Sequence, residues 1–174
     1  MILKILTIND KILKQKSVDI LEDNSDDIKK LADDMLETMY SASGVGLAGV
    51  QIGILKRIIV IDVKQKEGKT EEEKIKSRSP IILLNPMIIW KSDEKELMSE
   101  GCLSVPEERA EVMRHKEIEI EYCDLEFKRH KIKADGFFAQ ALQHEIDHLN
   151  GIIYTDHLSK IKRDMIVKKI KKFY

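Results

Sequence analysis

Two histidines, His144 and His148, stand four residues apart in the stretch Gln143-His-Glu-Ile-Asp-His-Leu-Asn-Gly151, with Glu145 directly after the first. On a helix, positions i and i+4 share a face about one turn apart, so both imidazoles can reach a single ion. Glu145 is offset by about 100° around the axis, which suits it to touch a water on that ion rather than to replace a ligand. The chemistry implied is metal-assisted hydrolysis with a carboxylate as base. The same pattern also occurs on ordinary surface helices that carry two His and two acids, so the remaining ligands decide.

A catalytic site of this type has three protein ligands and one open position. One protease class takes a downstream Glu, but no Glu follows Glu145. Another extends the motif to HExxHxxGxxH; Gly151 fits that frame, but Tyr154 holds the third His position. Cys102, Cys123, His115, His130, Asp156 and His157 remain. Cys123 ends an alternating stretch and reads as a small buried hydrophobe. His115 and His130 lie among Arg and Lys and read as solvated, and Asp156 and His157 follow the helix without a surrounding motif. Cys102 sits behind Gly101 and ahead of Pro106, in a turn fit to present a side chain, and a thiolate suits a borderline divalent metal. Spacing favours Cys102 without closing the alternatives.

These residues need elements to hold them. Asp135 as N-cap, Phe138, Ala141, Leu142 and Leu149 at helical spacing, and Gly151 as stop define the motif helix. Ile28, Leu31, Ala32, Met35, Leu36 and Met39 define an earlier amphipathic helix, capped by Asn24 or Ser25, whose Met residues fill the core. Residues 2–22 read as an extended lead-in with turns. The stretch from Ser41 to Gly53 carries four glycines, Gly44, Gly46, Gly49 and Gly53, which permit tight turns and close approach of another chain. A dinucleotide fingerprint would need a strand before and a helix after it; here the helix precedes and the strand 57–63 follows. Gly68-Lys69-Thr70 mimics the end of a P-loop, but Val63 occupies its first glycine position. Residues 64–79 read as a polar surface loop. Pro80–Trp90 reads as two strands broken at Asn85-Pro86, residues 100–106 as turn-rich, and 117–122 and 129–133 as strands. Leu158, Ile161, Met165, Ile170 and Phe173 mark a C-terminal helix whose other face is rich in lysine.

A chain of 174 residues fits one domain, 1–174, with room for a sizeable core. A formal net charge of −1, with 35% charged residues, gives no global field for DNA. No apolar run is long enough to span a membrane, and the apolar N-terminus is broken by Lys4 and Asn9-Asp10 before it could act as a signal segment. Two cysteines, Cys102 and Cys123, give no disulfide framework, so the expected setting is a reducing cytoplasm.

Gly44-Val-Gly-Leu-Ala-Gly-Val-Gln51, Glu100-Gly-Cys-Leu-Ser104 and Gln143-His-Glu-Ile-Asp-His148 occur in this order, and together they resemble the three signature stretches of the peptide deformylases. The resemblance extends from the lead-in through Asn85-Pro86 and Arg109 to the C-terminal helix, which is similar to the subgroup typical of Gram-negative bacteria. It implies an α+β fold of small antiparallel β-sheets packed around the HExxH helix, with an N-terminal amphipathic helix and a C-terminal helix. It implies a hydrolase that removes the formyl group from the N-terminal formylmethionine of new polypeptides and releases formate. By the same resemblance Cys102, His144 and His148 bind one divalent ion, natively Fe(II) with Zn, Ni or Co as substitutes, and Glu145 is the base. Gln51 and the Leu103 N–H stabilise the oxyanion. Val45, Gly46 and Leu47 pair with the substrate backbone, and Arg109 and Ala141 help to bind it, beside Gln140, an unusual wall residue. Arg114 is expected to pair with substrate or to anchor Glu100 and Asp147. Expected partners are nascent formyl-Met peptides and, through the basic C-terminal helix, the ribosome. Gly49 and Val50, Asn9-Asp10 and the long loop 64–79 depart from the family pattern without touching a presumed ligand. The rival readings are a metalloprotease, disfavoured by its missing Glu and His ligands, and a silent ribosome-docking module.

Overall fold

The computed structural model describes residues 1–21, 25–64 and 70–173. Ile28, Ala32, Met35 and Met39, at spacings of four and three, form the buried face of helix α1 (Ser25–Ser41). The glycine-rich stretch then supplies a short strand β1 (Gly46–Ala48) and a 3-10 turn at Gly49–Ile52. Strand β2 (Ile58–Ile61), helix α2 (Glu71–Ser77) and strand β3 (Ile81–Lys91) follow. Strands β4 (Lys95–Cys102) and β5 (Val105–His115) form a separate hairpin. Strands β6 (Glu117–Cys123) and β7 (Arg129–Asp135) lead into helices α3 (Gly136–Leu149) and α4 (Lys160–Phe173).

The main sheet has the order β1-β2-β3-β6-β7 with antiparallel neighbours throughout. Its interior strand β2 reads Ile-Ile-Val-Ile and is buried on both faces. Ile58 and Val60 join the α1 core, whereas Ile59 and Ile61 join the core containing Leu142, Ile146 and Leu149 of α3. A period of two thus divides one apolar run between two helices on opposite faces of the sheet. This is the expected α+β arrangement.

Four local expectations change. The two strands expected in Pro80–Trp90 are one, β3 (Ile81–Lys91), and the break at Asn85-Pro86 is a bulge with a register shift between Leu84 and Met87. Asn85 adopts φ 51°, and its amide both accepts from Ile20 N (2.8 Å) and donates to Ile20 O (2.9 Å). The bulge accommodates the missing proline N–H. Within 64–79, Thr70 and Glu73 cap α2 reciprocally, each side chain accepting the other's backbone N–H at 3.1 Å. The turn-rich residues 100–106 span the tip of the β4–β5 hairpin rather than a free loop. Asp135 precedes α3 but makes no side-chain cap hydrogen bond. The expected cap at Asn24 or Ser25, and loop residues 65–69, lie outside the described residues and side chains.

Gly151 ends α3 at φ 76°, and a Cβ there would sit 2.5 Å from the Lys14 backbone oxygen. The lead-in is thus packed against the end of the motif helix, and Ser17 N donates to Leu149 O at 2.9 Å. Gly136 also has positive φ (51°), but nothing lies within 4 Å of its Cβ position. Gly136→Ala is therefore expected to cost about 1 kcal/mol. Gly151→Ala must also displace backbone and should cost at least about 2 kcal/mol more, seen as a fall in Tm of about 2–4 °C per kcal/mol. Equal melting of the two variants would contradict the packing of Lys14 on this turn.

Candidate active site

The hairpin tip and α3 meet below the edge strand. Cys102 closes β4, and its Sγ lies 3.2 Å from His148 Nε2. His148 Nε2 lies 3.2 Å from His144 Nε2, and all three atoms fall within 4.8 Å of one another. Metal–ligand bonds of about 2.1 Å to N and about 2.3 Å to S place tetrahedral ligand atoms about 3.4–3.6 Å apart. The Cys-His-His set therefore fits one small divalent cation. Both imidazoles are buried, and burial followed by the neighbouring His144 pushes the His148 pKa down, favouring the neutral form that can ligate.

A buried carboxylate sets the direction of His144. Glu100 Oε2 lies 2.9 Å from His144 Nδ1, which turns Nε2 toward Cys102 and His148. Arg114 then clamps Glu100 with Nε to Oε1 at 2.6 Å and Nη2 to Oε2 at 2.9 Å. Its Nη1 donates to Asp147 Oδ2 at 2.6 Å, and Asp147 in turn meets His157 Nε2 at 2.7 Å. Burial pushes the Glu100 carboxyl up, but Arg114 and then His144 outweigh it and hold the pKa to about 2. Tyr154, at the third His position of the longer motif, stacks on the His144 ring with centroids 6.2 Å apart.

Glu145 faces the same space. Burial pushes its pKa up to about 7, and its Oε2 has no hydrogen-bond partner among the described residues. Gly46 makes its position possible: a Cβ there would meet Glu145 Oε1 at 2.5 Å, Cδ at 2.8 Å and Cγ at 2.9 Å. Gly46 does not have positive φ, so the glycine provides space rather than an unusual backbone angle. Gln51 is fixed at both ends of its amide. Its Oε1 accepts from Ala48 N at 2.8 Å, while Nε2 donates to Ser104 Oγ at 3.1 Å and lies 3.5 Å from Cys102 Sγ. The lead-in supports both residues, through Leu6 N to Gln51 O and Ile8 N to Ser104 O, each 2.8 Å.

A cavity of about 410 Å³ opens in front of His144 and Glu145, lined among others by Val45, Gly46, Leu103, Arg109, Gln140 and Ala141. Arg109 Nη2 donates to Ser99 O at 3.1 Å at the rim. Leu47 does not line the cavity; its side chain is buried in the α1 core, and only its backbone belongs to the edge strand. The other ligand candidates stay away. Cys123 packs beside the α1 core, His115 Nδ1 meets Ser92 O at 2.6 Å, His130 pairs with Asp124, and Asp156 pairs with Lys14. His157 reaches Asp147 and Arg114 rather than the other two imidazoles. The Ser104 contact to Gln51 and the proximity of Gly46 to Glu145 had no signal in the linear sequence, because both are contacts across the fold.

The family profile described as "Polypeptide deformylase" matches residues 2–164. A peptide deformylase of Bartonella quintana (strain Toulouse) is 48% identical over 168 residues, covering 97% of this chain and 90% of the relative. One of Rickettsia typhi (strain ATCC VR-144 / Wilmington) is 46% identical over 171 residues, covering 98% and 95%. The crystal structure of peptide deformylase from Ehrlichia chaffeensis in complex with actinonin superposes with a TM-score of 0.88 at 42% identity, covering 98% of this chain and 96% of that one.

The geometry sets a stability prediction. Arg114→Met strands the buried Glu100 carboxylate and should cost about 3–5 kcal/mol, lowering Tm by roughly 10 °C. Adding Glu100→Leu should restore much of that Tm, because the charge and its lost partner then vanish together. A double variant no more stable than the single one would show that Arg114 acts elsewhere.

Proposed function

The chain belongs to the polypeptide deformylase family and removes the N-formyl group from nascent peptides; on that premise we propose that Cys102, His144 and His148 hold one divalent metal ion, with Glu145 as the base. The observation that carries this reading is the approach of one sulfur and two imidazole nitrogens to within 4.8 Å of one another, beside a buried carboxylate. The catalytic domain in this reading comprises residues 1–174, in the subgroup typical of Gram-negative bacteria, whose helical C-terminus α4 resembles. The free thiols of Cys102 and Cys123 suit a reducing cytoplasm. No helix among the described residues is long and apolar enough to cross a membrane.

A bound divalent ion supplies Lewis acidity that lowers the pKa of water and polarises a carbonyl. Glu145 takes a proton from the attacking water and returns it to the leaving α-amine. Oxygen adds to the formyl carbon, the C–N bond breaks, and formate and a free N-terminus depart. Gln51 Nε2 and the Leu103 N–H donate to the formyl oxygen as charge develops on it; losing one such donor typically costs ~100- to 1000-fold in rate. Glu100 keeps the His144 ring in register, and Arg114 keeps Glu100 charged. The edge position of β1, paired among the described residues with β2 alone, offers the Val45–Leu47 backbone for pairing with an extended peptide. The methionine side chain enters the cavity beside Val45 and Ala141, with Arg109 at the rim. An N₂S donor set accepts Fe(II), the native ion in this proposal, and equally Zn, Ni or Co.

Glu145→Gln should retain metal and lose formate release from formyl-Met-Ala-Ser by about 100-fold or more, whereas Cys102→Ala should lose both. Anaerobic purification with metal analysis, alongside the formate assay, separates these outcomes. Full activity of Glu145→Gln would remove it as the base, and undiminished metal content in Cys102→Ala would remove that ligand.

The basic face of α4 supports ribosome docking through phosphate contacts. Lys168, Lys171 and Lys172 are exposed there, while Ile166 and Ile170 hold the helix to the core. Lys168→Glu/Lys172→Glu should lose salt-sensitive co-sedimentation with ribosomes while keeping peptide hydrolysis. Unchanged co-sedimentation would leave the lysines as an ordinary solvated face.

A further inference from the structure

Part of the cavity rim lies outside the ladder of the hairpin that carries it. The hairpin pairs Cys102 with Val105 and Gly101 with Arg109. Pro106, Glu107 and Glu108 therefore have no residue opposite them, and they bulge from β5. Glu107 and Glu108 line the cavity, with Arg109 next to them. Glu107 adopts φ 61°. That left-handed conformation is costly for a residue other than glycine, and it persists where surrounding contacts impose it.

Two of those contacts come from outside the hairpin. Tyr154, buried in the 3-10 turn Tyr154–His157, donates its hydroxyl to Glu108 O at 3.2 Å. The Glu108 carboxylate pairs with Lys169 Nζ of α4. Glu108 is thus held at its carbonyl and at its side chain by two elements that supply no proposed metal ligand. The next residue is tied within the hairpin, where Arg109 Nη2 donates to Ser99 O at 3.1 Å. Gly101 leaves room for this arrangement: a Cβ there would lie 3.0 Å from Arg109 Nη1 and 3.5 Å from Glu108 O.

We propose that Tyr154 and Lys169 are positioning residues for the peptide: through Glu108 they hold the 106–108 bulge as the outer wall of the cavity, which makes α4 part of the peptide-binding site. The proposal rests on reading the cavity as the peptide site. The methionine side chain enters beside Val45 and Ala141, so the rim meets the residues that follow it. Without its two anchors the bulge relaxes from the strained Glu107 conformation, and the downstream residues lose a fixed wall. The hydrolytic groups lie on α3 and at the hairpin tip, so peptide affinity rather than the chemical step depends on Lys169. An ion pair with one partner half-exposed changes an equilibrium by up to about fivefold. A buried hydroxyl bond changes it by about two- to tenfold.

The test measures kcat and KM separately, by formate release from formyl-Met-Ala-Ser and from formyl-Met amide, which ends before the rim. Lys169→Met should raise KM for the tripeptide by about two- to fivefold with kcat unchanged, and should leave KM for formyl-Met amide as it is in wild type. Tyr154→Phe, which keeps a ring against His144, should raise the tripeptide KM by about two- to tenfold. Glu108→Gln should raise it as well, and adding Lys169→Met to Glu108→Gln should raise it no further, because the pair is already broken. An unchanged tripeptide KM in Lys169→Met or Tyr154→Phe overturns the proposal. So does an equal rise for formyl-Met amide in Lys169→Met, or an additive effect in the double variant. Equal wild-type KM for the two substrates would instead overturn the reading of the cavity rim as the path of the peptide.

Discussion

A single carboxylate, sealed between a guanidinium and an imidazole, joins the two halves of this site. Glu100 belongs to the β4–β5 hairpin and His144 to α3, and their 2.9 Å contact is also what orients the ring. Without Arg114 that carboxylate would be a buried charge with only the His144 ring beside it, an arrangement that proteins avoid by protonating the acid. Arg114 keeps it charged and extends the link through Asp147 back to α3. The hairpin is a sheet of only two strands, separate from the main sheet. Isolated two-stranded hairpins are marginal in water, so its attachment to α3 through this ion-pair network matters more than its own ladder. Cys102, at the hairpin's end, depends on that attachment for its place beside the histidines.

The opposite wall is arranged by steric means. The edge strand approaches α3 closely because Gly46 has no side chain, and Glu145 fills the space left. Gln51 is held across the same gap by Ala48 and Ser104. One wall is thus set by charge and the other by shape, and the cavity lies between them. Burial pushes both carboxylates up, but Glu100, clamped by a cation, is nevertheless held low, while Glu145, with one oxygen unpartnered among the described residues, stays raised.

The local chemistry was legible in the linear sequence where it depended on short spacing. His144 and His148 follow from helical periodicity, and α1, β6 and α3 follow from theirs. Cys102 was favoured by its turn and promoted by resemblance, because no periodicity spans the 46 positions between it and His148. The hairpin arms were missed since β4 and β5 expose Leu97, Met113 and Arg109 on one side while burying Glu100 and Arg114 on the other. Polar-in and apolar-out inverts the usual strand signal. The Asn85-Pro86 pair was read as a chain break because bulges leave no signature beyond the residues that tolerate them. Helix α2 is too short for periodicity to reveal it, and only the Thr70/Glu73 pair marked its start. Gln140 stood out by type, but the bond from its amide to Ser99 O, at 3.1 Å, is a contact across the fold.

The lead-in segment that buttresses Gln51 and Ser104 is synthesised before both of them, and His148 is made after all three. Leu6, Ile8 and Lys14 pack against residues made some 45 to 140 positions later. During translation the early segment therefore waits without its partners, and the three proposed donor atoms coexist only once His148 has emerged from the ribosomal tunnel. Loading of the ion in this geometry would therefore follow the synthesis of His148. An enzyme that acts on chains still being made thus depends, for its own site, on the order in which its parts leave the ribosome.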